Sequence, residues 1–146
     1  MIDISYLENT ASLMRAISQT VRLEILLAIG TGEACVCHLE VAIGQRQAYI
    51  SQQLMALREA GVVESRREGR NIYYHVSHPQ VLDLIQAASK ISNQQAESIP
   101  ITGPRNLQGV CPCPKCEPQN SENSAGEFIL VRDSHNPIEG KISHDG

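Results

Sequence analysis

The sequence is poor in aromatic residues and in basic residues. Four tyrosines and one phenylalanine make up 3% of its 146 residues, and tryptophan is absent. A core must therefore be built from aliphatic side chains, and the apolar fraction of 42% suffices for one small domain. The net charge is −4, which excludes a generally basic coat. A nucleic-acid partner would need a local basic patch instead.

Long apolar runs, export signals and catalytic motifs are missing as well. No run of about 18 apolar residues occurs, so we expect no membrane span. The acidic, polar residues 1–14 do not resemble a secretory signal, which predicts a cytoplasmic protein. The chain has neither a phosphate-binding loop nor an HExxH pair, and we therefore predict no enzyme. Five cysteines, an odd number in a reducing compartment, indicate metal binding or redox sensing rather than a disulfide framework.

Helical and extended patterns fill roughly the first two thirds of the chain. Apolar spacing predicts helices at 4–17, 19–29, 36–43, 46–60 and 79–95. Ser18 is predicted to cap the second helix, on whose solvent side we place Arg22. β-Branched and aromatic residues predict a hairpin with strands at 62–66 and 71–76. The apolar stripe of the last helix needs a partner, either the first helix or a second copy of the chain.

The composition changes near residue 97. Residues 98–146 are rich in Pro, Gly, Ser and Asn, which is typical of a loosely ordered tail, although the tail contains the segment CPCPKC. We predict a mainly α domain with a small β-hairpin (an α+β fold) at 1–97, followed by this tail at 98–146.

The fourth helix and the hairpin carry side chains suited to DNA. The short break at 44–45 fits a helix-turn-helix, whose second helix reads base edges in the major groove. Arginines on the hairpin would bind phosphate or lie in the minor groove. The predicted DNA contacts are Arg46, Gln47, Tyr49, Ser51, Gln52, Gln53, Arg66, Arg67 and Arg70. Taken singly, each feature also fits a small helical domain with a solvated arginine turn.

The cysteines form two groups, Cys35/Cys37 and Cys111/Cys113/Cys116. Residues two apart on a helix point to different sides, but where an extended segment leads into a helix both thiols can face one way. A helix N-terminus favours the thiolate that binds metal. Three thiolates suit As(III), Sb(III) or Pb(II), and four suit Zn(II) or Cd(II). His38 could be a fourth ligand, although we expect a solvated histidine on the helix surface instead. The alternatives are two small core residues, a structural zinc site in the tail, or a redox disulfide.

Three segments together resemble the ArsR/SmtB family of metal-responsive winged-helix repressors: AISQTVRLEILLAI, CVCHLEVAIG and YISQQLMALREAGVVESRREGRNIYYHV. The resemblance spans roughly residues 10–92. It implies a winged helix-turn-helix homodimer, joined through the first and last helices, that releases operator DNA when an inducer binds. In this family a CVC at this position senses arsenite, or cadmium and lead. Arg46, Tyr49 and Gln53 depart from the family's usual residues, so the operator sequence does not transfer.

Arsenite-responsive relatives often carry a third cysteine where this chain has Glu40. The Cys35/Cys37 pair would therefore need a ligand from elsewhere, and the tail cysteines are the obvious source. Two arrangements are open. Either the tail of the same or of the other subunit folds back and joins Cys35/Cys37, which we favour, or the tail forms a separate three-thiolate site. The Asp/His zinc site of other family members is not expected, because the last helix lacks its residue pairs.

The predicted function is a DNA-binding repressor released by a soft metal or metalloid ion: As(III), Sb(III), Cd(II), Pb(II) or Zn(II). One alternative is a regulator that senses redox state through its thiols. Another is a metal-handling or interaction module that does not bind DNA.

Overall fold

The computed structural model describes residues 1–92, 100, 101, 103 and 113. The elements in chain order are α1 (Ile4–Ile17), α2 (Thr20–Ile29), β1 (Ala34–Cys35), α3 (Val36–Ile43), α4 (Gln47–Glu59), β2 (Val63–Glu68), β3 (Asn71–Val76) and α5 (Gln80–Ser92). No helix of this part of the chain is long and apolar enough to cross a membrane. The predicted boundary at 97–98 and the cysteines Cys111 and Cys116 lie outside the described residues.

An aliphatic core holds the helices together, as the shortage of aromatic residues requires. Its fully buried members include Ile25, Leu26, Ile29, Leu39, Ile50, Leu54 and Leu57. Burying each such side chain stabilises the fold by about 1.5–3 kcal/mol. The central helix is α2, which contacts α3, α4 and α5. The core therefore fixes α3 and α4 relative to one another.

The turn between α3 and α4 confirms the predicted helix-turn-helix. Gly44 ends α3 in the left-handed conformation, with φ 73°, and its amide donates to the carbonyl of Glu40 at 2.9 Å. A glycine suits this position because other residues adopt that conformation at a cost. Arg46 is extended, with φ −66° and ψ 144°, and α4 begins directly after it.

Two predictions about α2 are wrong. Ser18 closes α1 instead of capping α2, since its hydroxyl donates to the carbonyl of Arg15 at 3.0 Å. Arg22 is half-buried rather than on the solvent side. Its Nε donates to Oε1 of Gln53 at 2.9 Å and its Nη1 to the carbonyl of Ala16 at 2.8 Å. The guanidinium therefore ties α1 and α2 to α4.

The sheet has three antiparallel strands in the order β1-β3-β2. The predicted hairpin is confirmed, although β2 runs on to Glu68. The short strand β1 adds a third member that the sequence did not predict, because two residues show no alternation. The register pairs Tyr73 with Cys35 on one side and with Arg66 on the other.

One described part of the tail crosses the end of α2. The amide of Gly103 donates to the carbonyl of Leu27 at 3.2 Å. Gly30 makes this approach possible, because a Cβ there would lie 2.9 Å from Cα of Gly103. Residues 101 and 103 therefore pack against the folded domain.

Candidate DNA-binding face and thiol cluster

The start of α4 presents a polar surface. Arg46, Gln47, Tyr49 and Gln52 are exposed and Ser51 is half-buried, so these five predicted contact residues are accessible to DNA. Gln53 differs from them: its side chain is 8% exposed, and its amide oxygen accepts the hydrogen bond from Arg22. A buried side chain that is held in this way does not fit the predicted contact with bases.

The β2–β3 hairpin carries the three predicted arginines in two different settings. Arg66 is bound by its own chain: Nε and Nη2 donate to the two oxygens of Glu33 at 3.0 and 2.7 Å, and Nη1 donates to Glu68 at 2.8 Å. Hydrogen bonds to Glu33 and then Glu68 raise the pKa of Arg66 further above its ordinary value, so it stays charged. Arg67 and Arg70 are exposed, which leaves their charges accessible to phosphate.

A second, smaller buried cluster lies beside the main core and contains two cysteines from distant parts of the sequence. Cys35 is 6% exposed, Cys113 is 3% exposed and Tyr73 is 1% exposed, and Cys37 and Val41 pack against their edge. We refer to Cys35, Cys37, Tyr73 and Cys113 as the thiol cluster. Among the described cysteines no disulfide is formed. One tail cysteine is thus brought to the Cys35/Cys37 pair.

The fold places each thiol for a local reason. Cys35 ends β1 and caps α3, where its sulfur accepts a hydrogen bond from the amide of His38 at 3.4 Å. Cys37 follows in the first turn of α3 and is half-buried. The pair therefore lies where an extended segment leads into a helix, the setting in which both thiols can face one way. His38 is buried rather than solvated, and burial lowers its pKa from the ordinary value of 6.5, which keeps the ring neutral.

Tyr73 is the member of the cluster that sequence reasoning missed. Burial raises the pKa of its hydroxyl to about 12, and a hydrogen bond to the Cys113 side chain acts in the same direction. The hydroxyl therefore stays protonated. Pairing the hairpin strands correctly would have placed Tyr73 opposite Arg66, but nothing in the sequence indicated its contact with Cys113.

The donor atoms of the thiol cluster decide which metal ions could fit it. Two buried sulfurs with a third at their edge are soft donors, which suit thiophilic ions. Within residues 1–92 and the four described tail residues, no group of three or more His, Cys, Asp or Glu side chains is placed to hold a metal ion. The cluster is compatible with such an ion, but its side chains would have to move closer together.

The structure combines a helix-turn-helix, in which the first turns of α4 are exposed, with the arginine-bearing β2–β3 hairpin. We call this hairpin the wing. The combination defines a winged helix-turn-helix protein. The family model described as "Bacterial regulatory protein, arsR family" matches residues 20–65. A biofilm growth-associated repressor from Agrobacterium fabrum is 38% identical over 79 residues, which are 54% of this chain and 68% of that protein. An arsenic resistance transcriptional regulator from Pseudomonas putida is 43% identical over 65 residues, 44% of this chain and 50% of that protein.

Solved structures agree with this assignment. The crystal structure of the repressor BigR from Xylella fastidiosa matches with a TM-score of 0.55 and 34% identity, covering 64% of this chain and 100% of that one. A homodimeric winged helix-turn-helix domain from Mycobacterium bovis matches with a TM-score of 0.57 and 30% identity, covering 64% and 87%. The chain belongs to the ArsR/SmtB family of winged helix-turn-helix regulators. It is therefore a transcriptional regulator and not an enzyme.

Proposed function

We propose that this protein is a homodimeric repressor that releases its operator when a soft metal or metalloid ion is bound by the thiol cluster. The observation that carries the proposal is the burial of Cys113 against Cys35, next to the helix-turn-helix. It favours one joint site of Cys35, Cys37 and tail cysteines over a separate site in the tail. A repressor acts on the chromosome, so a cytoplasmic location is part of the proposal.

The proposed operator contacts follow from exposure and charge. Arg46, Gln47, Tyr49, Ser51 and Gln52 would enter the major groove, where Gln pairs with adenine. Arg67 and Arg70 would neutralise phosphates. Arg66 is already bound to Glu33 and Glu68, so it would contact phosphate only where these carboxylates leave its guanidinium accessible. Gln53 is omitted because it is buried against Arg22.

An apolar surface supports the proposed homodimer. On α1 only Ile17 is buried, while Ile4, Leu7 and Met14 are exposed. Together with Ile91 of α5, Met14 lines an apolar cleft of about 570 Å³ between the two helices. A surface of this kind favours burial against another chain. A second copy is the proposed partner, since the Mycobacterium bovis structure is described as homodimeric.

The ion would be held by Cys35, Cys37 and one or more of Cys111, Cys113 and Cys116. Three thiolates suit As(III), Sb(III) or Pb(II), and a fourth would admit Cd(II) or Zn(II). When bound, the ion supplies a positive centre that draws the thiolates together. Cys35 caps α3, so a displaced Cys35 moves the first helix of the helix-turn-helix. Release requires that the ion bind the DNA-free form more tightly than the DNA-bound form.

The test uses the DNA upstream of the protein's own gene as operator. The double variant Cys35→Ser/Cys37→Ser is compared with the unaltered chain in a panel of As(III), Cd(II), Pb(II) and Zn(II). We expect the variant to bind operator normally and to lose release by every ion of the panel. Normal release in this variant would refute the assignment. Failure of the unaltered chain to bind DNA at physiological salt would favour the non-DNA-binding alternative.

Thiol oxidation is the second candidate, because Cys35 and Cys113 are neighbours in the cluster. A peroxide would take two electrons and two protons from the two thiols, giving a disulfide and two molecules of water. This candidate predicts operator release by hydrogen peroxide without metal, reversal by a dithiol, and a Cys35–Cys113 cross-link in mass spectrometry. Release by metal but not by peroxide would exclude it.

A further inference from the structure

The thiol cluster and the wing meet at Tyr73. This residue lies on β3, the central strand, and the register pairs it with Cys35 on β1 and with Arg66 on β2. Residues directly opposite one another on neighbouring strands project from the same face of a sheet. Cys35, Tyr73 and Arg66 therefore form one row across the sheet, with the tyrosine in the middle.

Tyr73 makes one specific contact through its hydroxyl and another through the face of its ring. Its side chain packs against Cys113 inside the buried cluster, and a hydrogen bond between the hydroxyl and that thiol contributes to the raised pKa of Tyr73. Its ring lies under the guanidinium of Arg66, whose Cζ is 5.3 Å from the ring centroid, within the range of a cation–π contact. One side chain thus contacts both a tail thiol and a wing arginine.

Arg66 is also held by the residue that directly precedes β1. Glu33, which binds its guanidinium with both carboxylate oxygens, lies two residues before Cys35. A shift of Cys35 or Cys113 would therefore reach Arg66 by two routes, through β1 and through the tyrosine ring. Among the described residues, Arg67 and Arg70 are neither bonded to Glu33 nor placed over the Tyr73 ring, and they serve as comparison residues.

We propose that Tyr73 is the positioning residue that couples the thiol cluster to the wing, with its hydroxyl on Cys113 and its ring under Arg66. The inference rests on the proposed function, because it assigns the route by which a change at the thiols reaches the DNA-binding face. A Cys113 sulfur drawn towards Cys35 and Cys37 moves away from the tyrosine hydroxyl and weakens the contact between them. Because hydrogen bonds stabilise a buried hydroxyl, the ring follows the sulfur and Arg66 shifts with the ring.

The variant Tyr73→Phe separates this role from simple packing. Phenylalanine keeps the ring, and with it the burial and the contact with Arg66, but lacks the hydroxyl. Tyr74→Phe is the matched control, because Tyr74 is the next residue on β3 and packs against the main core from the opposite face. Arg66→Ala and Arg67→Ala form a second pair, and because both side chains are exposed we expect both variants to fold.

The experiment measures operator affinity by fluorescence anisotropy with and without Cd(II), and Cd(II) binding by the sulfur-to-metal charge-transfer absorption. The release ratio is the operator affinity without Cd(II) divided by the affinity with Cd(II). For Tyr73→Phe we expect unchanged Cd(II) absorption and an operator affinity within about twofold of the unaltered chain. The release ratio should fall by about tenfold, which is within the usual range of allosteric coupling. Tyr74→Phe should keep the full ratio. Arg66→Ala should lower the ratio as well, whereas Arg67→Ala should weaken DNA binding and leave the ratio unchanged.

Three results would overturn the inference, and they differ in what else they affect. Normal release by Tyr73→Phe refutes the coupling role and leaves the proposed function standing. Loss of Cd(II) absorption in Tyr73→Phe refutes it too, because the tyrosine would then support metal binding itself. If the unaltered chain releases operator with none of the panel ions, the proposed function fails, and that failure is seen without any Tyr73 variant.

Discussion

Cys35 combines two structural roles in one residue. Its backbone ends a strand and its sulfur caps the following helix by accepting the amide hydrogen of His38. The predicted helix at 36–43 placed Cys35 directly before its start, where an extended segment would allow both thiols to face one way. Neither the pairing of Cys35 with Tyr73 nor the burial of Cys113 beside it could be predicted, because both depend on long-range packing.

Gln53 and Gln52 are neighbours with opposite expected roles. For Gln53→Ala we expect a loss of about 1–3 kcal/mol in the free energy of unfolding, because Arg22 Nε loses its part-buried partner. Gln52→Ala should leave stability within about 0.5 kcal/mol and weaken operator binding, since Gln52 is exposed. Urea unfolding and operator titration measure the two quantities. The reverse pattern would place Gln53 at the DNA.

Glu40 stands where arsenite-responsive relatives often have a third cysteine. In a chain cut after residue 103, which lacks all tail cysteines, we expect no release of operator by As(III). Adding Glu40→Cys to that shortened chain should restore release, because three thiolates then lie on one short helix and the segment before it. As(III) release by the shortened chain without Glu40→Cys would show that the tail thiols are not needed.

Among the secondary-structure elements, the wing is expected to contribute charge rather than base recognition. Replacing both Arg67 and Arg70 with Ala should make the negative slope of log K against log[salt] less steep by about 1.8, since each phosphate contact contributes about −0.9. The loss of affinity should be similar for operator and unrelated DNA. The control is Arg58→Ala, at the exposed last turn of α4. A loss confined to operator DNA would mean that these arginines read bases.

The helices and the hairpin were predictable because their patterns are long and local. Apolar spacing predicted α1 with the observed bounds Ile4–Ile17, and Gly44 was correctly predicted to end α3. The two-residue strand β1 and the hydrogen bond of the Ser18 hydroxyl could not be predicted from local patterns. A serine between two helices can bond to either, and here the carbonyl of Arg15 lies within reach.

For the molecule as a whole, the apolar cleft between α1 and α5 is the expected dimer interface. Met14→Glu/Ile91→Glu should give a monomer in analytical ultracentrifugation, because burying two carboxylates in that interface is costly. Operator affinity should fall strongly, since two half-sites are then no longer bound together. Ile72→Glu, at an exposed apolar residue on the wing, is the control and should remain dimeric. A dimeric double variant would move the interface elsewhere.

The central claim is that Cys113 of the tail and the Cys35/Cys37 pair form one sensing site that controls DNA binding. Its most direct test is operator release by As(III), Cd(II), Pb(II) and Zn(II) from the single variant Cys113→Ser, followed by fluorescence anisotropy. The proposal predicts operator affinity equal to that of the unaltered chain and a loss of most or all release by the active ion. Full release by Cys113→Ser, with the same ion at the same concentration, would contradict it.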